Sequence, residues 1–147
     1  MFKRELLFIP FFGWGIALLD MIHIDRRRGG DAFESVVRQG IRKLADGRWI
    51  IMFPEGTRTM AGSKGRYKSG GARLAIRTDA PVVPIAVNSG ERWPRNAFVK
   101  SPGLVTVSIG RPIPSAGKTP DQLNTEVEQW IETEMRRISP HMYRDAA

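Results

Sequence analysis

A short apolar run, Trp49–Met52, leads directly into the segment Phe53-Pro54-Glu55-Gly56-Thr57-Arg58. An apolar run of this length that ends at a proline and a glycine is typical of a buried strand leaving the edge of a sheet. In α/β proteins, the ends of such strands carry many of the ligand-binding groups. We therefore expect a strand over residues 49–53 and a binding site in the turn that follows it.

A basic, glycine-rich loop follows this turn at once. Residues 62–71 read GSKGRYKSGG, and the whole chain carries a net charge of +8 with 17 arginines against 6 lysines. Guanidinium groups bind phosphate through two parallel hydrogen bonds, whereas ammonium groups act as point charges. Coding bias combined with solubility is the alternative explanation for the arginine excess. The turn and the loop together predict a site for phosphate or another anion.

Composition limits the class of protein. A chain of 147 residues with 41% apolar and 26% charged residues is expected to form a single domain over 1–147 with a real core. It has no cysteine and two histidines, so we expect neither disulfides nor a metal site. The positive charge is compatible with nucleic acid, a membrane surface or a phosphorylated substrate. No recognition helix or platform of interleaved aromatic and basic residues is apparent, so nucleic acid is not an expected partner.

Helical and strand patterns alternate along the chain. A helix is expected from the N-cap Asp31 to Gly47, and another around 71–77. Strands are expected at 82–87, where Pro84 indicates an edge or a bulge, and at 104–109. Thr119-Pro120-Asp121-Gln122 predicts the start of a final helix with a capping box. The alternation predicts an α/β layered domain with a largely parallel central sheet flanked by helices.

The N-terminal segment Leu6–Leu19 is almost wholly apolar, but 14 residues broken by Pro10 and two glycines are too few to span a bilayer. Two interpretations fit the pattern. The segment is part of the core, or it lies in the membrane interface with Trp14 and the phenylalanines as anchors.

Three segments resemble the ordered sequence blocks of the glycerolipid acyltransferases, the lysophosphatidate acyltransferase group. Phe53–Arg58 resembles the third block of that family. Lys3–Leu7, Ile9–Trp14 and Ile24–Arg26 together resemble the second block. Val83–Val87 resembles the fourth. The resemblance covers the chain from Lys3 to about Val87, and the C-terminal helix adds little to it.

The resemblance implies an enzyme of phospholipid biosynthesis. Such an enzyme transfers an acyl chain from a thioester, on acyl carrier protein or coenzyme A, to the free hydroxyl of lysophosphatidate, without a further cofactor. It also implies a protein that associates peripherally with the cytoplasmic face of the inner membrane, with the membrane surface as a partner.

The resemblance further implies which residues hold the phosphate of the acceptor. Arg26 and Arg58 would grip it, Gly56 would allow close approach of the backbone, and Thr57 would offer a hydroxyl and an N–H. Glu55 would pair with and orient an arginine, or would fix the turn as part of a buried ion pair. Additional contacts are expected from neighbouring polar residues: Asp25, Lys64, Arg66 and Lys68.

The catalytic block of the family, a histidine and an aspartate separated by four residues, does not occur in this sequence. His23 is followed five positions later by Arg28, and His141 by Ala146, with Asp145 one position too early. We expect His23 to be a half-buried histidine of a strand. In the family, the histidine of the catalytic block removes the proton of the attacking hydroxyl, and the aspartate of that block orients the imidazole.

The resemblance places the missing block directly upstream of Lys3. We therefore expect a family member that lacks the N-terminal part of the fold, through a misassigned start codon or a gene fragment, with a catalytically dead homologue as the alternative. Such a chain is expected to bind acceptor phosphate weakly and to catalyse no acyl transfer. A non-catalytic module that binds anionic lipid or a phosphorylated ligand is the alternative function.

Overall fold

Helices and short strands alternate along the chain. The computed structural model describes residues 2–19, 21–24 and 30–143. Short 3-10 helices accompany the main elements at Arg4–Phe8, Ser89–Glu91 and Pro140–Tyr143. Within these ranges the main elements are β1 (Phe2–Lys3), α1 (Phe12–Leu18), β2 (His23–Ile24), α2 (Gly30–Ala45), α3 (Gly70–Thr78), β3 (Ile85–Val87), β4 (Val107–Ile109) and α4 (Pro120–Ile138). The α/β class is confirmed.

The described strands form two separate pairs. β1 and β2 are parallel, with Phe2 opposite His23, whereas β3 and β4 are antiparallel, with Ile85 opposite Ile109. An antiparallel pair needs no helical crossover, and the connection between β3 and β4 contains only a 3-10 turn and a loop. Among the described residues, the sheet expected to be largely parallel is therefore present as one parallel and one antiparallel pair.

The strand expected over residues 49–53 is absent. These residues are described as neither helix nor strand, and Trp49 is 92% exposed, with Ile51 and Phe53 also largely exposed. A strand requires a hydrogen-bonded neighbour, and no described strand pairs with this segment. The sequence predicted a buried strand from this apolar run, and both the strand and its burial were predicted wrongly.

Two compact units make up the chain, residues 1–52 and 53–147. In the second unit, α3 packs against α4, and the core consists of Ala72, Ala75, Ile113 and Leu123, of which Leu123 is completely buried. The partly buried side chains Ile76, Val82 and Val127 extend this core. The expected single domain over 1–147 stays a prediction.

The start of α4 follows the prediction closely. The hydroxyl of Thr119 accepts from the backbone N–H of Gln122 at 3.2 Å, and the side chain of Gln122 accepts from the N–H of Thr119 at 2.9 Å. Pro120 occupies the first helical position, where its missing N–H costs nothing. The predicted capping box is confirmed.

Pro84 interrupts the strand predicted over 82–87. Val82 forms an isolated antiparallel bridge with Ile113, and the regular ladder with β4 begins only at Ile85. Proline has no N–H to donate, but its carbonyl accepts from Gly110 at 2.9 Å. The regular ladder therefore leaves out Pro84, the position at which the sequence indicated an edge or a bulge.

The first unit contains the helix predicted over 31–47, which begins at Gly30 and ends at Ala45. Asp31 therefore lies inside the helix, and its prediction as the N-cap was wrong. Val36 and Val37 of this helix are buried, whereas Ile41 is about half exposed.

The apolar segment Leu6–Leu19 is not a core segment. It forms a 3-10 helix, a turn and the short α1, and most of its large side chains are exposed, Phe11 and Trp14 among them. Those two rings meet edge to face at 5.1 Å between centroids. In the part of the chain that the structure describes, no helix is long and apolar enough to cross a membrane.

Candidate functional site

The turn after residue 53 is closed by its own backbone. The N–H of Gly56 donates to the carbonyl of Phe53 at 3.0 Å, and Gly56 has a φ of +67°. A Cβ on Gly56 would lie 3.0 Å from Nζ of Lys68. The glycine therefore serves two needs, a left-handed backbone and room for a lysine side chain above it. The sequence led us to expect a phosphate close to the backbone of Gly56. In this structure the side chain of Lys68 lies at that place.

Lys68 is held on the turn by its backbone. Its N–H donates to the carbonyl of Pro54 at 2.9 Å, which fastens the end of the basic loop to the start of the turn. The side chain of Lys68 consequently adds a positive charge directly over Gly56. The sequence placed Lys68 among the additional contacts, and the structure brings it to the turn.

Glu55 is half-buried, and its oxygen Oε2 is enclosed without a hydrogen-bond partner among the described residues. A Cβ on Gly65 would lie 2.8 Å from that oxygen and 2.6 Å from Cγ2 of Thr59, so only glycine fits beside the carboxylate. A buried polar atom without a partner costs about 1 to 3 kcal/mol. Oε2 of Glu55 can therefore accept a hydrogen bond, and none of the described residues donates one to it. Its pairing with an arginine stays a prediction.

Arg58 is exposed and lies near an aromatic ring. Its Cζ is 5.8 Å from the ring centroid of Trp93, and Nζ of Lys100 is 3.9 Å from the same centroid. Both distances are within the range of cation–π attraction. Trp93 thus gathers two cations at one place, which raises the local positive potential. The adjacent Thr57 is exposed, so its hydroxyl is accessible.

The remaining basic residues of the loop serve other purposes. Lys64 pairs with Glu128 of α4 at 2.6 Å, and the hydrogen bond that its ammonium donates to Glu128 raises the pKa of Lys64. Arg66 is exposed. The expected phosphate residue Arg26 and its neighbour Asp25 lie outside the described residues, as does Asp145.

Tyr67 anchors the basic loop to α4. The side chain is buried, and its hydroxyl donates to Oε1 of Glu132 at 3.0 Å. Burial raises the pKa of Tyr67, and the negative charge of Glu132 raises it further, so the phenol stays protonated as a donor. Sequence reasoning missed this anchor because the partners are 65 residues apart; the only signal was a tyrosine within an otherwise polar loop.

A second polar cluster lies between the 3-10 helix at Ser89–Glu91 and the end of α4. The carboxylate of Glu91 accepts from the hydroxyl of Ser139 and contacts Nε2 of His141 at 3.1 Å. The hydrogen bond from Ser139, followed by the interactions with His141, lowers the pKa of Glu91. Ser139 and His141 each contact the carboxylate of Glu91 and not one another, so they do not form the nucleophile–base pair of a catalytic triad. Sequence reasoning considered His141 but missed its partners.

No group of three His, Asp or Glu side chains that could hold a metal ion occurs within residues 2–19, 21–24 and 30–143. What the turn offers chemically is different: accessible guanidinium and ammonium groups, an accessible hydroxyl and an unsatisfied carboxylate oxygen. The cations match a phosphate and the carboxylate matches a hydroxyl or a cation.

The fold is that of an α/β protein with exposed cations at its Glu55–Arg58 turn, and comparison with known proteins identifies its family. The sequence model of the family described as "Acyltransferase" matches residues 1–88, which include the Glu55–Arg58 turn. The chain belongs to the acyltransferase family, and the family resemblance in the sequence is confirmed.

Individual relatives carry more specific names. The chain is 42% identical over 145 residues to a 1-acyl-sn-glycerol-3-phosphate acyltransferase of Pseudomonas aeruginosa, covering 97% of this chain and 56% of that protein. It is 34% identical to 1-acyl-sn-glycerol-3-phosphate acyltransferase alpha of Homo sapiens, covering 93% of this chain and 50% of the human protein. The chain therefore spans about half the length of these relatives.

A solved structure resembles the fold. The crystal structure of the 1-acyl-sn-glycerophosphate (LPA) acyltransferase PlsC from Thermotoga maritima superimposes with a TM-score of 0.76 at 28% sequence identity. The match covers 94% of this chain and 56% of the other. The similarity therefore extends beyond residues 1–88 to most of the chain.

Proposed function

We propose that this chain carries the acceptor-phosphate site of a 1-acyl-sn-glycerol-3-phosphate acyltransferase of phospholipid biosynthesis. The observation that carries the proposal is the cationic turn: Arg58 with Lys100 at Trp93, and Lys68 over Gly56. This turn lies in the segment matched by the family model. The names of the relatives supply the acceptor, lysophosphatidate.

The reaction of the proposed enzyme is acyl transfer. The hydroxyl of lysophosphatidate attacks the thioester carbonyl of acyl carrier protein or coenzyme A, a new ester forms, and the thiol leaves. In that reaction Arg58 holds the phosphate through charge-assisted hydrogen bonds, which fixes the distance of the hydroxyl from the reacting carbonyl. The proposed role of Arg26 is a second grip on the phosphate.

Glu55 has a separate proposed role at the same site. Its enclosed oxygen lacks a donor among the described residues. A carboxylate repels a phosphate, so we assign this oxygen to an arginine that it orients. Arg26 is the candidate that the family resemblance provides.

The general base is the missing component. Neither His23 nor His141 precedes an aspartate by five positions, and His141 already contacts Glu91. We propose that the 147-residue polypeptide binds the acceptor without transferring the acyl chain. The experiment is to incubate it with lysophosphatidate and an acyl thioester and to measure phosphatidate. Formation of phosphatidate above that of the Glu55→Ala, Arg58→Ala double variant would contradict the inactivity.

The proposed location is the cytoplasmic face of the inner membrane, where the protein would bind peripherally. The exposed side chains of the N-terminal segment, including Phe11 and Trp14, support it because aromatic groups favour the bilayer interface. The proposed partners are lysophosphatidate, an acyl thioester and the membrane surface, and no nucleic acid.

The second candidate function is a non-catalytic module that binds anionic lipid, and the net charge of +8 with the exposed cations of the turn favours it. The two functions differ in what they recognise. An acceptor site discriminates lysophosphatidate from phosphatidate, whose hydroxyl is already acylated, whereas a headgroup module binds both equally. Competition between the two lipids, at concentrations below their aggregation, separates the functions.

A further inference from the structure

The loop between β3 and β4 presents apolar side chains to solvent. In this loop, residues 92–104, Phe98 is 99% exposed, Leu104 77% and Val99 75%. Isolated exposed apolar residues are normal, but three large ones within one loop mark an interaction surface.

The 92–104 loop has a defined conformation. Its ends are joined by the N–H of Ser101, which donates to the carbonyl of Arg92 at 2.8 Å. Its tip is a tight turn in which the N–H of Ala97 donates to the carbonyl of Pro94 at 3.1 Å, with Asn96 at a φ of +62°. Asparagine tolerates this left-handed backbone better than most residues. The backbone of this loop is thus fixed by hydrogen bonds, and it keeps the side chain of Phe98 in solvent.

The tryptophan at the base of the loop stiffens it. Nε1 of Trp93 donates to the carbonyl of Ala97 at 3.0 Å, and Lys100 lies over the ring at 3.9 Å. Half of the Trp93 side chain remains exposed. An indole with one satisfied N–H and an accessible apolar edge is the side chain that membrane proteins place at the level of the headgroups.

The charged side chains of the loop have one sign. Residues 92–104 contain three basic residues, Arg92, Arg95 and Lys100, and no aspartate or glutamate. The preceding acid, Glu91, is directed to Ser139 and His141. An apolar tip with a cationic rim complements an anionic lipid surface, to which basic side chains are attracted. A purely apolar protein partner would leave these charges unmatched.

We propose that the 92–104 loop inserts Phe98 and Val99 into the interface of a bilayer that contains anionic lipid. The role of this loop rests on the proposed function, because it concerns how the same site reaches its lipid substrate. Because Arg58 lies beside Trp93, insertion of the loop brings the phosphate-gripping guanidinium to the level of the headgroups. The acceptor phosphate is then bound without the acyl chain of the lipid leaving the bilayer.

The absence of cysteine allows a direct test on the full 147-residue chain. Phe98→Cys is labelled with an environment-sensitive fluorophore and mixed with vesicles of phosphatidylcholine and phosphatidylglycerol. The expected result is a brighter, blue-shifted emission that vesicles of phosphatidylcholine alone do not produce. Ala116→Cys, at an exposed turn beyond β4, is the labelling control and is expected to give no change.

Substitutions separate the apolar and the electrostatic contributions. The Phe98→Ser, Val99→Ser variant is expected to lower vesicle partitioning about tenfold or more, because two exposed side chains lose their hydrocarbon. Both positions are exposed, so folding is expected to be unchanged, and circular dichroism checks this. Arg95→Gln is expected to weaken binding, and more so than Arg111→Gln, its matched control beyond β4.

Three outcomes overturn the inference. The first is an unchanged emission of the label at position 98 on anionic vesicles. The second is an equal response on neutral vesicles. The third is a response that needs no vesicles and grows with protein concentration, which would assign the loop to a contact between copies. If position 98 does not insert but phosphate binding still depends on Arg58, only this inference is refuted. If position 98 inserts but phosphate binding does not depend on Arg58, only the proposed function is refuted.

Discussion

The guanidinium of Arg58 and the ammonium of Lys100 lie over the ring of Trp93, at 5.8 and 3.9 Å from its centroid. Each cation lies within the range of attraction to the electron-rich ring of the indole. At the residue scale, Trp93 therefore holds two positive charges, and we propose that Arg58 binds the phosphate there. The sequence revealed Arg58 through its motif, but the contribution of Lys100, 42 residues away, required the structure.

The backbone of Gly56 leads to the first prediction. Gly56→Ala forces a Cβ onto a left-handed backbone and against Lys68, so the free energy of unfolding is expected to fall by about 1 to 2 kcal/mol. Urea denaturation measures the change. Gly70→Ala, where a Cβ would meet nothing within 4 Å, is the matched control. Equal effects of the two substitutions would show that the turn imposes no special demand.

The cluster around Glu91 gives a pH dependence. Because the pKa of Glu91 is lowered in the folded state, its carboxylate stabilises the fold above its ordinary pKa of 4.5. That contribution is lost as the pH falls through the lower folded value. Glu91→Gln is therefore expected to be less stable than the parent at about pH 7, with a difference that shrinks on acidification.

The measurement is denaturation with urea across this pH range. Ser139→Ala removes the largest cause of the lowered pKa and should move the acid loss of stability to higher pH. A stability difference between the parent and Glu91→Gln that is independent of pH would refute the assignment.

At the scale of elements, the sequence predicted features that depend on neighbouring residues, but it did not predict contacts between distant parts of the chain. The capping box of α4 and the break in the ladder at Pro84 depend on neighbours within a few residues, and the sequence indicated both positions. The strand expected over 49–53 depends on a partner elsewhere, so a short apolar run alone could not establish it. The anchor between Tyr67 and Glu132 was also invisible, because it joins elements 65 residues apart.

The cap of α4 supports the third prediction. Thr119→Ala removes the acceptor for the N–H of Gln122 and is expected to lower the free energy of unfolding by about 1 kcal/mol. Thermal denaturation measures it as a lower Tm. Thr125→Ala, at an exposed position within the same helix, is the control and should leave the stability unchanged or raise it slightly. A Tm equal to that of the parent in Thr119→Ala would contradict the role of the cap.

At the scale of the whole molecule, the family is established while the complete reaction is proposed. The chain spans 56% of the Pseudomonas aeruginosa relative and 56% of the Thermotoga maritima structure. Its net charge of +8 and its exposed apolar surfaces suit a membrane with anionic lipid. The sequence predicted the family from three short blocks, but it could not predict which apolar segments would be exposed, because exposure depends on packing.

The central claim is that the Glu55–Arg58 turn binds the phosphate of the acceptor. Calorimetric titration of short-chain lysophosphatidate, below its aggregation concentration, tests it directly on the 147-residue chain. Arg58→Ala is expected to weaken binding about tenfold or more, because a charge-assisted hydrogen bond contributes about 1.5 to 3 kcal/mol. Arg111→Ala, which removes the same charge from an exposed position beyond β4, is expected to change it little. Equal losses in both variants, or unchanged binding in Arg58→Ala, would contradict the claim.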